Sequence, residues 1–155
     1  MIINVTGGSK RQKELVESIA EFCAYKLMPR LAPKISITIK LSDTLKKREK
    51  IYGDCIWEDE DLYPREFTIR ADACQKQRQL LETIAHEMVH VKQYARDEMR
   101  QLSTKPVCRF NGAHYPNDLD YWDQPWEIEA HGREKGLFIR WAESQGIQSK
   151  WAMED

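Results

Sequence analysis

No two of the four cysteines in this 155-residue chain form a Cys-x-x-Cys pair; Cys23, Cys55, Cys74 and Cys108 are widely scattered. That scatter argues against a zinc ribbon. A disulfide framework is equally out of place, because the opening MIINVTGGSKR lacks the basic segment and apolar run of an export signal. Reduced, mostly buried cysteines in a cytoplasm are the expectation. Nowhere does the chain approach the roughly 18 consecutive apolar residues of a membrane span, so no membrane partner is expected. An excess of one charge is missing too. The 24 Lys and Arg face 25 Asp and Glu, a net charge of −1, which gives no push toward nucleic acid or an anionic surface. The local clusters Lys10-Arg11-Gln12-Lys13 and Lys46-Lys47-Arg48 read as solvated faces. In the acidic loop WEDEDLYP, the glycine and closing glutamate of an EF-hand are absent, which leaves a solvated turn.

What is present reads as one α+β domain over residues 1–146, with a tail at 147–155 that carries Trp151. Ser9 opens a helical pattern that runs to about Met28, with Leu15, Ile19, Ala20 and Phe22 at helical spacing. KISITIKL, residues 34–41, alternates isoleucine with polar residues as a half-buried strand does. Ile51–Trp57 and REFTIR, residues 65–70, are two further strands, and a small, mostly antiparallel sheet is expected. Helix returns from Gln75 to about Met99. Asn111-Gly112 then marks a hairpin, and Pro125 opens a last helix that runs to about Ser144.

The helix starting at Gln75 contains TIAHEMVH, so His86, Glu87 and His90 form an HExxH motif. Histidines at i and i+4 stand one above the other on a helix face, and both imidazoles can reach one Zn²⁺. The intervening Glu87 lies where it can take a proton from a zinc-bound water and pass it on. Leu81, Ile84, Met88 and Ala95 form an apolar stripe, and the two histidines lie roughly 140–180° around the helix from its centre. They therefore face solvent or a cleft. A continuation as HExxHxxGxxH fails, because Gln93 and Arg96 stand where glycine and histidine are needed.

A third ligand must come from elsewhere, and PWEIEAHGRE, residues 125–134, offers candidates. With Glu127 set at 0°, the apolar Ala130, Leu137, Phe138 and Trp141 fall within roughly 80° of it, and His131 and Glu134 within roughly 40°. Glu129 points roughly 160° away, toward the expected solvent face. Glu127, His131 and Glu134 thus project from the face that packs inward, where ionisable groups are costly unless compensated.

His86-Glu87-x-x-His90 followed by Glu127-x-x-Ala130-His131 resembles the gluzincin branch of zinc metallopeptidases, most of all the small SprT-like and ImmA/IrrE-like members of bacterial and phage type. The resemblance implies a minimal zincin-like fold: N-terminal helix, small sheet, HExxH helix, hairpin and a C-terminal helix carrying the third ligand. It implies one Zn²⁺ per chain held by His86, His90 and Glu127, with Glu87 as general base in peptide-bond hydrolysis. Ala130 matches the small residue that lets the two helices approach. The family usually has Asp or Asn where His131 stands, so His131 either orients a zinc-bound histidine or competes for the metal, with Glu134 holding it or an arginine. His114, Tyr115 and Tyr121 are candidates to assist the transition state. Trp122 and Trp126 read as core. The implied partner is a peptide or protein substrate in a bacterial or phage-infected host cytoplasm, bound as an added strand along REFTIR, a segment that reads equally well as a core strand with a covered edge. The alternatives are a zincin-fold binding or regulatory protein with a non-catalytic zinc site, and a non-peptidase hydrolase.

Overall fold

The computed structural model describes residues 1–59 and 62–147. The tail beyond Ile147, with Trp151, lies outside them. The chain opens with a strand, β1 (Ile2–Thr6), not read from the sequence. Helix α1 (Lys10–Leu27) follows, started by a capping box in which Ser9 Oγ accepts from the Gln12 amide and the Gln12 side chain accepts from the Ser9 amide. Next come β2 (Ser36–Ser42), the short helix α2 (Leu45–Glu49), β3 (Gly53–Trp57) and β4 (Glu66–Asp72). Helix α3 (Gln77–Ala95) carries the HExxH motif. Three short strands, β5 (Met99–Gln101), β6 (Val107–Phe110) and β7 (Ala113–Pro116), precede α4 (Pro125–Ser144).

The main sheet has the order β1-β2-β4-β3. Its β1–β2 and β2–β4 pairings are parallel and only β3–β4 is antiparallel, so the sheet is mixed where a mostly antiparallel one was expected. The cause is the α1 crossover: a helix between β1 and β2 returns the chain to the same end of the sheet. REFTIR, read equally as a substrate edge or as a covered core strand, falls in β4, which is flanked by β2 and β3, so the second reading holds. The edge beside α3 is β3. A second, antiparallel sheet β5-β6-β7 contains the expected hairpin, whose two-residue loop has Asn111 at φ 49° and Gly112 at φ 84°, the positive values a tight hairpin turn requires.

One face of the main sheet is apolar. Ile35, Ile37, Ile39 and Leu41 from β2 and its approach, with Phe67, Ile69 and Ala71 from β4, are buried under α1 and α3. The intervening Ser36, Thr38 and Lys40 are left on the other face. Helix α4 packs on α1 and α3, away from the sheet, and is anchored at its C-terminal half by Phe138 and Trp141. Trp141 is fully buried and its indole N–H donates to Ser18 Oγ on α1 at 3.0 Å. This anchor holds the helix whose first turn carries Glu127. Trp141→Ala is expected to destabilise the protein by about 3–5 kcal/mol, measured by urea unfolding.

Candidate metal centre

Between Ile84 and Gln93 every residue of α3 is buried, because α1, α4 and the sheet surround it. The apolar stripe meets the core, and the opposite face, with His86 and His90, meets α4 across a cleft of about 740 Å³. Tyr52, Gly53 and Cys55 line one wall of this cleft and Glu127, His131 and Glu134 the other. Helix α4 starts at Pro125, so Glu127 lies in its first turn and faces both histidines.

His86 Nε2 lies 3.1 Å from Glu127 Oε2, His90 Nε2 3.2 Å from Glu127 Oε1, and the two Nε2 atoms 3.2 Å from one another. Metal–ligand bonds of about 2.0–2.1 Å at tetrahedral angles separate donor atoms by about 3.3 Å. The three donors fit a metal ion on spacing and on chemistry. Behind them, both Nδ1 atoms already have acceptors: Glu134 Oε2 at 2.7 Å from His86 and Gln93 Oε1 at 2.8 Å from His90. With Nδ1–H engaged, each Nε2 faces the cleft and offers its lone pair there once the ring is neutral.

A second set, His86, His131 and Glu134, also converges. It shares His86, and a neutral imidazole has one free lone pair. A metal in the first set therefore leaves His86 Nδ1–H donating to Glu134. Glu134 Oε2, which accepts from His86 Nδ1, also lies 3.4 Å from His131 Nδ1. The His131 ring meets that of His86 edge-on, 4.5 Å between centroids. Its Nε2 lies 2.8 Å from Tyr121 Oη, which itself donates to Glu127 Oε2 at 3.0 Å. Since the single phenol proton goes to Glu127, Tyr121 Oη accepts from His131 Nε2–H.

Burial disfavours the His86 imidazolium, but the hydrogen bonds to Glu127 and Glu134 outweigh it and raise its pKa to about 10. For His90 burial again opposes, and Glu127 and Glu87 win, so its pKa is raised. Burial would raise Glu127, yet hydrogen bonds from both histidines hold it well below the usual carboxylate range. Glu87 is pushed up to about 7, chiefly by burial and against the pull of His90 and His86. Burial also lifts the Cys55 thiol well above its ordinary value, reinforced by Glu87 and Asp54.

Of the suggested helpers, Tyr121 reaches the site, whereas His114 and Tyr115 sit on β7 outside the cleft lining. Tyr115 packs against Trp126, 6.0 Å between ring centroids. Trp122, expected in the core, is 69% exposed at the cleft rim. Glu129 departs from the expected solvent face: it accepts from Lys92 Nζ at 2.6 Å and Gln93 Nε2 at 2.8 Å. Sequence reasoning missed Gln93, though it stands one helical turn beyond His90. It also missed Gly53, where an added Cβ would lie 2.8 Å from Thr83 Cγ2 and 3.2 Å from Glu87 Oε1. Among the described residues no helix is long and apolar enough to cross a membrane.

Comparison with protein families, with curated proteins and with solved structures finds no match for this chain. The gluzincin resemblance is carried by its motif residues alone.

Because the raised histidines must release protons before donating lone pairs, metal affinity is expected to climb with pH. Chelator competition between about pH 6 and 9 should show roughly tenfold tighter binding per pH unit for each proton released. A flat profile would contradict the assigned charge state.

Proposed function

We propose that the chain is a zinc-dependent metallopeptidase of gluzincin type with a minimal zincin-like fold. The observation that carries the reading is the convergence of His86, His90 and Glu127 at tetrahedral spacing in an open cleft that Glu87 also lines. When bound there, zinc supplies a Lewis acid that polarises a carbonyl and acidifies water. The chain's own groups supply the rest. Glu87, with its carboxyl raised to about 7, is poised to take a proton near neutral pH and return it to a leaving amine. Tyr121 Oη, at the cleft rim and tied to Glu127, can offer its proton to a developing oxyanion. Among the described residues strand β3 pairs with β4 alone, so its other edge, beside Glu87, suits an extended peptide added as another strand.

Metal content is the first test: Glu127→Ala should lose stoichiometric zinc and His131→Ala should keep it. Wild type purified without zinc would sink the reading. Glu87→Gln should retain zinc and lose about 10²–10⁴-fold in cleavage of a casein or peptide library. Zinc retained with no turnover of any peptide by wild type would mark a binding protein with a non-catalytic metal instead. Gly53→Ala should lower kcat with zinc unchanged, because the new Cβ presses on Thr83 and the Glu87 carboxyl.

A further inference from the structure

Gln93 is fully buried, and every polar atom of its side chain is engaged. Nε2 donates to the Trp126 carbonyl oxygen at 3.0 Å and to Glu129 Oε1 at 2.8 Å. Two acceptors on that side leave Oε1 as the atom facing His90, which fixes the orientation of the amide. Oε1 can only accept, so the proton of that contact belongs to His90 Nδ1, and in the neutral ring the lone pair falls to Nε2. The residues held from the other end, Trp126 and Glu129, bracket Glu127 in the opening turns of α4. Glu129 is itself braced by Lys92 and Arg133, and Lys92 pairs with Glu98 at 2.9 Å. One neutral side chain thus touches the back of one candidate ligand and the turn that carries another. His86 is backed differently, by the carboxylate of Glu134.

We propose that Gln93 is a positioning residue for the metal centre: it fixes the Nδ1–H tautomer of His90 and, through the Trp126 carbonyl and Glu129, sets the approach of Glu127 to the histidines. The inference rests on the metal reading above. It treats the α3–α4 contact and the ligand geometry as one hydrogen-bonded unit, so a change at position 93 acts on metal affinity without replacing a ligand.

Three proteins decide it: wild type, Gln93→Met, and the exchange Gln93→Glu with Glu129→Gln. In the exchange a carboxylate accepts from His90 and the amide at position 129 donates back. Zn²⁺ affinity by chelator competition is read beside the visible absorption of the Co²⁺-loaded protein and the unfolding midpoint of the metal-free form. The Met variant should lose about 10–100-fold in Zn²⁺ affinity and shift the Co²⁺ bands, and the exchange should recover most of that loss. A folded Met variant with wild-type affinity and an unchanged Co²⁺ spectrum, but a lower unfolding midpoint, would show a packing role and overturn the inference alone. An exchange variant as weak as the Met variant would overturn the tautomer-holding role. Wild type that takes up no metal would bring down the metal centre and this role with it.

Discussion

The docking of α4 on α3 puts two imidazoles and a carboxylate against one another in a largely dehydrated wall. Burying such groups is costly unless each finds a partner. Here they satisfy one another: Glu127 spans both histidines, and Glu134 and Gln93 close the outer nitrogens. The remaining architecture serves that contact. The sheet and α1 pack against α3 from below, Trp141 pins the far end of α4, and Ala130 is fully buried in the core.

The elements with strong periodicity were legible. Alternating isoleucines fixed β2, the 3.6-residue patterns fixed three long helices, and Asn111-Gly112 fixed a turn whose φ values demand such residues. Pairing direction was not legible, since a strand's own alternation says which face is buried and nothing about its neighbours. Whether β4 lay at an edge or inside the sheet was therefore left open, and of the three apolar residues of β1 only Ile3 and Val5 turn toward the core, too short a pattern to register.

At the site, the residues with a named spacing were legible: His86, Glu87 and His90 from the i, i+4 pattern, and Glu127 from the family motif. Helical phase placed Glu127, His131 and Glu134 together, and they do share a wall of the cleft. The same argument failed for Glu129. Phase measures angle around one isolated helix, whereas the crossing helix α3 is broad enough for Lys92 and Gln93 to reach around the flank of α4. Gln93 gave no signal because an uncharged amide at i+3 from a histidine is ordinary until its partners are known. Trp122 was misplaced for a related reason: large apolar side chains predict burial only on average, and the turn at Tyr121–Asp123 holds this one outward.

His90 and Glu127 are joined by a long excursion of chain that includes the entire β5-β6-β7 sheet. In the unfolded chain only the i, i+4 histidine pair persists as a local chelate, and the carboxylate is no nearer than chance allows. An ion that prefers three donors to two therefore discriminates between folded and unfolded chains, and its binding energy counts toward the native state by mass action. Once bound, such an ion would also act as a removable cross-link, restraining a loop whose closure otherwise carries an entropic penalty that grows slowly with length. Loss of the ion would then be felt first in the grip of α4 on the rest of the molecule, before the sheet or α1 registers any change.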